Sequence, residues 1–241
     1  MPSNHQSAAG RPAGETRPRT IWTGVFFDLD GTLADTAPDL ARALNTLRGE
    51  RGLTPLPYET IRPQVSCGTE ALLRLGFGDD YASNPKHEGL RERYLELYLD
   101  GIADETTLFP GMAEVLDCLE RLGIAWGVVT NKPAFLTDPL MEALNLSNRS
   151  ACAISGDTTA FRKPHPAPLL FACKTAGTQP QTCVYIGDAQ RDIEAGRRAG
   201  MQTLAALFGY IEAEERPLDW AADGHVDSAH DILPWLGLRT S

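Results

Sequence analysis

The chain has 241 residues, 42% of them hydrophobic, and a formal net charge of −10. That length holds one large core, or a core with a smaller appended domain. The acidic surplus disfavours a nucleic-acid backbone as partner and demands a local positive site for any anionic substrate, while no apolar run approaches the ~18 residues of a membrane span.

Residues 1–20, "MPSNHQSAAGRPAGETRPRT", lack the hydrophobic segment of a secretory signal, and Pro12 and Pro18 interrupt any amphipathic helix. They read as a disordered tail. "VFF" at 25–27 is a short apolar run of the kind buried on both faces of a sheet. From about 36 to 107 the pattern is helical with no clear strand: "APDLARALNTLRGERG", "TEALLRLG" and "KHEGLRERYLELYLDG", the last with Leu90, Tyr94, Leu97 and Tyr98 in one stripe. Beyond it the strand-like runs resume at 124–129, 151–154, 183–186 and 203–207. Between them lie helical patterns, with Val115, Leu116, Leu119 and Leu122 on one face of the first and Leu169, Leu170 and Cys173 on one face of the next. Strand-helix alternation of this kind predicts an α/β fold, a doubly wound parallel sheet. The expected organisation is a core of 21–35 and 108–241 with a helical insertion over 36–107.

Five cysteines at 67, 118, 152, 173 and 183 form no CxxC pair and read as small core residues of a protein in a reducing, cytoplasmic compartment.

In such a sheet, ligands bind beyond the carboxyl ends of the strands. Asp28, Asp30, Gly31 and Thr32 follow the first run, and Thr130, Asn131 and Lys132 the second. Lys163 follows the third across a loop, and Gly187 and Asp188 the fourth, with Asp192 one helical turn further on. Asp28 and Asp30, one residue apart, repel one another unless a cation or proton intervenes. Oxygen ligands from Asp28, the Asp30 carbonyl and Asp188 suit Mg²⁺ bridging to a phosphate. Asp28 is then a nucleophile toward phosphorus and Asp30 an acid and base for the leaving oxygen and water. Thr130, with Asn131 beside it, and Lys163 would hold the phosphoryl group. Asp192 is placed to orient Lys163 or a metal-bound water, or else to cap its helix or pair with Arg191, Arg197 or Arg198. A calcium loop starting at Asp28 fails, since its sixth position is Leu33 and its twelfth Asp39. Neither GxGxxG nor GxxxxGK occurs.

"DLDGTLADT", "VVTNKP", "KPHP" and "GDAQRDIEAG" resemble the four signature segments of the haloacid dehalogenase-like hydrolases, more narrowly the phosphoglycolate phosphatase group with a helical cap after the first strand. The likeness runs from about 22 to 236. It implies a Rossmann-like core, a mobile cap, Mg²⁺ dependence and hydrolysis of a small phosphorylated metabolite by a monomer or homodimer. Dehalogenation is disfavoured by Asp30. Phosphonate cleavage needs a cap amine, and of four lysines only Lys86 falls in the insertion.

Substrate choice falls to the cap. Ser66 and Gly68 in "VSCGTEALLRL" lie where resembling enzymes cover the substrate with a glycine-rich segment and a helix N-terminus, although phosphoglycolate phosphatases often carry glycine at the Ser66 position. Arg62 and Arg74 flank this loop, where they could meet a substrate carboxylate, although exposed ion pairs are the expected fate of each. The resemblance implies 2-phosphoglycolate as substrate. "FGYIEAEERPLDWAAD" is similar to a segment of phosphatases acting on N-acetylmuramic acid 6-phosphate, the alternative. A non-catalytic phosphometabolite binder would have lost at least one of the reacting residues, and all are present.

Overall fold

The computed structural model describes residues 21–239 except 82 and 84–87. The expected tail at 1–20 and Lys86 lie outside the described residues. Strands β1 (Gly24–Phe27), β4 (Ala125–Val129), β5 (Ala153–Ile154), β6 (Cys183–Gly187), β7 (Gln202–Ala206) and β8 (Gly224–Val226) form one parallel sheet in the order β5-β4-β1-β6-β7-β8.

The strands read as continuous apolar runs because both faces are covered. Val25 and Phe27 of β1 point into one core with Val128, Val184 and Ile186. Phe26 points the other way, into a second core with Val129, Cys183 and Tyr185. Helix α5 (Met112–Arg121) feeds Val115, Leu116 and Leu119 to the first core, and α7 (Ala167–Ala176) feeds Leu169 and Cys173 to the second. Helix α8 (Gln190–Ala199) joins the second core through Ala195 and Ala199. Leu122 and Leu170, expected on the packed faces, are exposed instead. Leu122 caps the end of α5 and Leu170 lies one residue off the buried stripe of α7.

After β1 the chain makes a short strand, β2 (Ala34–Asp35), which pairs antiparallel with β3 (Thr107–Leu108). Thr107 is therefore in a strand, where only helical pattern was expected. Between the two strands run α1 (Ala37–Glu50), α2 (Tyr58–Ile61), a 3₁₀ stretch at Arg62–Cys67, α3 (Thr69–Phe77) and α4 (Leu90–Asp100). Helix α1 packs on α3 and α4, burying Leu44 and Leu47 with Leu90, Tyr94 and Tyr98. Asp39, fully buried in the first turn of α1, accepts hydrogen bonds from the backbone of Glu105 and Thr106 and from the Thr106 hydroxyl. It thereby ties the outgoing chain to the returning one.

The run at 151–154 is strand only at Ala153–Ile154, and Ala151 is exposed although its N–H already bonds the Trp126 carbonyl of β4. Strand β8 had no signal, since Gly-His-Val offers no apolar run. Helix α6 (Ala134–Ala143) and a last short helix, α9 (Ile232–Trp235), complete the regular elements used here.

Candidate active site

Strands β4, β1 and β6 lie side by side, so the loops at their carboxyl ends share one rim. Asp28 continues directly from β1, its N–H bonded to the Ile186 carbonyl of β6. Its Oδ1 accepts the Leu29 N–H at 2.8 Å and stands 2.9 Å from Lys163 Nζ. Among the described residues nothing hydrogen-bonds Oδ2. One carboxylate oxygen is thus anchored and the other is left for chemistry.

Lys163 is only 3% exposed. Its ammonium donates to the Tyr185 hydroxyl at 2.8 Å and pairs with Asp192 Oδ1 at 2.8 Å, the latter an ion pair without hydrogen-bond geometry. The Tyr185 hydroxyl in turn donates to the Val129 carbonyl at 2.6 Å. A buried charge is tolerable only when paired and hydrogen-bonded, and these partners meet that need. Asn131 clamps the main chain at the same point: its amide accepts from the Lys163 N–H and donates to the Lys163 carbonyl, both at 3.0 Å. That side chain is committed to holding the lysine's backbone, although Asn131 also lines the cavity described below. Asp192 both faces Lys163 and caps α8, accepting the Ala189 N–H at 3.1 Å. Burial pushes its carboxyl up, and Lys163 pulls against that shift.

Asp188 ends β6 and is fully buried. It accepts from the Thr32 hydroxyl at 3.2 Å, the Tyr210 N–H at 2.8 Å and the Ser66 hydroxyl at 2.9 Å. Burial first, then the charges of Asp28 and Asp192, push this carboxyl up to about 7. Gly31, at φ +82, and Gly209 border it so closely that a Cβ on either would collide with its side chain. Glycine at 31 supplies both the left-handed backbone and the clearance.

Asp28, Asp188 and Asp192 each offer an oxygen within 4.8 Å of the others. Three buried carboxylates against the one buried ammonium of Lys163 leave a local excess of negative charge. Hard oxygen donors, that excess and a cradle kept clear by glycines fit a small divalent cation.

Asp30 stands apart from this group. Its Oδ1 accepts the Thr36 hydroxyl at 2.6 Å and pairs with Lys132 Nζ at 2.7 Å. Lys132 is buried, with its ammonium 4.8 Å from the Tyr98 ring of α4. Burial opposes its charge most strongly, but Asp30 and Tyr98 together outweigh it and hold the ammonium above its usual range. Thr130 accepts the Lys132 N–H at 3.1 Å.

A cavity of about 410 Å³ opens over these groups. Its floor includes Asp28, Asp30, Thr130 and Lys132, and its far side is built by Ser66, Gly68 and Tyr98 from the helical segment between β2 and β3. Gly68, at φ +84, is the N-cap of the nine-residue α3. Ser66 lines the cavity and also reaches across to Asp188. Arg62 does not: it donates to the Gly209 carbonyl at 3.3 Å and lies 4.8 Å from the Tyr210 ring. Arg74 is exposed and outside the lining. Cys67 departs from its expected core role, being exposed with its thiol 2.8 Å from Glu212.

Sequence reasoning passed over Tyr185, whose hydroxyl supports Lys163, and gave no role to Lys132. The Asp30-Lys132 contact had one available signal, their positions after adjacent strands.

The family model for the haloacid dehalogenase-like hydrolases matches residues 25–206. A phosphoglycolate phosphatase of Xylella fastidiosa is 42% identical over 219 residues, spanning 91% of this chain and 93% of that protein. An N-acetylmuramic acid 6-phosphate phosphatase of Pseudomonas putida is 43% identical over 203 residues, spanning 84% and 91%. The crystal structure of a predicted phosphoglycolate phosphatase from Haemophilus somnus superposes with a TM-score of 0.80 at 25% identity, covering 90% of this chain and 99% of that one. The matched segment begins at β1 and ends with β7, so it contains every strand end on the shared rim: this chain belongs to the haloacid dehalogenase-like hydrolases, as a phosphoric monoester hydrolase of that family.

Proposed function

We propose that the protein is a Mg²⁺-dependent phosphatase that hydrolyses the phosphate monoester of a small carboxylic acid through a phosphorylated Asp28. The observation that carries this reading is the split environment of the two aspartates that follow β1. Asp28 is anchored among the buried carboxylates with Oδ2 unbonded among the described residues, and Asp30 sits outside that group beside Lys132.

The residues then divide the work. Asp28 Oδ2 attacks phosphorus and the ester P–O bond breaks, while Asp30 gives its proton to the departing oxygen. Water next attacks the same phosphorus as Asp30 takes up its proton, and the Asp28–phosphorus bond breaks to release phosphate. Lys163 and Thr130 neutralise and hold the phosphoryl oxygens, and Asn131 and Asp192 keep Lys163 in place. Asp28, Asp188 and the Asp30 carbonyl are the proposed ligands of the cation, which when bound offsets charge on the phosphoryl oxygens. Ser66 and Gly68 close the cavity from the opposite side.

2-Phosphoglycolate, the substrate expected from the sequence, takes its support from the Xylella relative's name. N-Acetylmuramic acid 6-phosphate is a second reading, favoured by the cavity. At about 410 Å³ it lies in the range that encloses drug-sized ligands, roomy for a two-carbon acid. Its Tyr94, Leu95, Phe135 and Leu136 supply apolar wall that a sugar ring would use. The Pseudomonas relative bears that sugar acid in its name. Placement in a reducing cytoplasm accords with five free thiols and with helices none of which, among the described residues, is long and apolar enough to cross a membrane.

The test is a panel of kcat/KM values for 2-phosphoglycolate, N-acetylmuramic acid 6-phosphate, hexose phosphates and pyrophosphate, with Mg²⁺ and with EDTA. Mg²⁺-dependent release of phosphate, strongest for one of the two acids, is expected. No release from any ester would overturn the reaction, and a preference for plain hexose phosphates would overturn the acid.

A further inference from the structure

We propose that Arg191 anchors the carboxylate of the substrate acid and so sets its specificity; this role rests on the acid-ester reading above. Arg191 is the second residue of α8 and lines the cavity, while its neighbour Asp192 turns inward to Lys163. The other cavity cations are engaged. Lys132 pairs with Asp30 at 2.7 Å, Arg91 pairs with Glu70 at 3.5 Å, and Arg162 donates its Nε–H to the Gly156 carbonyl at 2.9 Å.

Among the described residues, the Arg191 guanidinium makes no hydrogen bond and no ion pair within 4.0 Å. It is nonetheless partly buried. Burial acts against its charge, and the longer-range fields of Asp192, Asp28 and Asp188 offset that penalty. Two of those three carboxylates are the proposed ligands of the divalent ion. Once they are so engaged, their compensation of Arg191 weakens, and a half-buried guanidinium facing a cavity calls for an anion from the ligand.

The phosphoryl group already has Lys163 and Thr130. What remains for Arg191 is the second anionic group of a phosphorylated acid. A guanidinium presents two parallel N–H donors that match a carboxylate's two oxygens, a fit an ammonium does not reproduce. Arg191 also lies within the field of Cys67, in the loop that carries Ser66 and Gly68 over the cavity. It therefore stands where the two halves of the site meet, a position suited to reading the part of the substrate beyond the phosphate. This chain's overall charge of −10 makes such a local cation necessary for any doubly anionic ligand.

The experiment compares matched esters that differ in the carboxylate: N-acetylmuramic acid 6-phosphate against N-acetylglucosamine 6-phosphate, and 2-phosphoglycolate against 2-hydroxyethyl phosphate. Wild type, Arg191→Gln and Arg191→Lys are assayed on each pair, and the quantity read is the acid-to-neutral ratio of kcat/KM. A charge-assisted hydrogen-bonded contact predicts that Arg191→Gln lowers this ratio by about 10- to 100-fold, chiefly through KM of the acid. Arg191→Lys keeps the charge but loses the fork, so its ratio should fall at least about threefold; if Arg191→Gln does not fold, this variant decides. A ratio unchanged in either folded variant, or equal losses on both members of a pair, overturns the role of Arg191 and leaves the phosphatase reading standing. A wild-type protein that discriminates in neither pair also overturns it, and one that hydrolyses no ester overturns both.

Discussion

Replacing Asp188 by asparagine should stabilise the metal-free protein at pH 8 while destroying its capacity to use Mg²⁺. The carboxyl is fully buried and raised from 3.8 to about 7 by burial and by Asp28 and Asp192. A raised carboxyl binds its proton more tightly in the folded chain than in the unfolded one. Wild type therefore loses stability as pH climbs from about 4, where the unfolded group ionises, to about 7, where the folded group does. A rise from 3.8 to about 7 corresponds to about 4 kcal/mol. Asparagine removes that cost and keeps an oxygen for the Tyr210 N–H and the Ser66 hydroxyl, which share Oδ2, while the Thr32 hydroxyl on Oδ1 must turn to a new partner. Allowing about 1 kcal/mol for that adjustment, Asp188→Asn should exceed wild type by about 3 kcal/mol at pH 8 and fall about 1 kcal/mol below it near pH 4. The measurement is urea unfolding in EDTA across that interval, repeated with saturating Mg²⁺, where binding to the folded state stabilises wild type and reverses the order. A pH-independent difference between the two proteins, or a variant weaker than wild type at pH 8 in EDTA, would refute the reasoning.

Asp28→Asn should leave the fold intact by circular dichroism and reduce turnover of every ester by about 10⁴-fold or more; activity above a few per cent would move the nucleophile elsewhere. Lys163→Met strands Asp28 and Asp192 in the interior without their cation, and urea unfolding in EDTA at pH 8 should show a loss of about 3–5 kcal/mol. A loss below about 1 kcal/mol would mean those carboxylates have another counter-charge. Gly31→Ala adds a Cβ at φ +82 that runs into the Asp188 carboxylate and Tyr210. It should destabilise by about 1–3 kcal/mol and weaken Mg²⁺ binding by calorimetry, and unchanged Mg²⁺ affinity would separate Asp188 from the metal.

The strand ends were legible because a doubly covered sheet writes its strands as unbroken apolar runs, and polar residues directly after such runs stand out. Asp28, Thr130 and Asp188 each stand directly after such a run. Strand β8 escaped because Gly224, His225 and Val226 form no such run. Tyr185 looked like one more core residue of β6, since sequence does not show that its hydroxyl would meet a lysine from another loop. Asp39 likewise resembles a surface acid at a helix start, and only the return of the chain past it at Glu105 and Thr106 makes it an interior acceptor. The last two misses are contacts made by tertiary proximity, which neither spacing nor composition records.

The two crossings at β2 and β3 lie against each other, with Asp35 opposite Thr107, so everything strung between them begins and finishes at nearly one point in space. A segment inserted this way can lengthen, shorten or be exchanged without re-threading the sheet beneath. Asp28, Lys163, Asp188 and Asp192 all belong to the part that stays, whereas many of the walls that would judge a substrate's size belong to the part that is free to vary. Chemistry and taste are thus inherited separately.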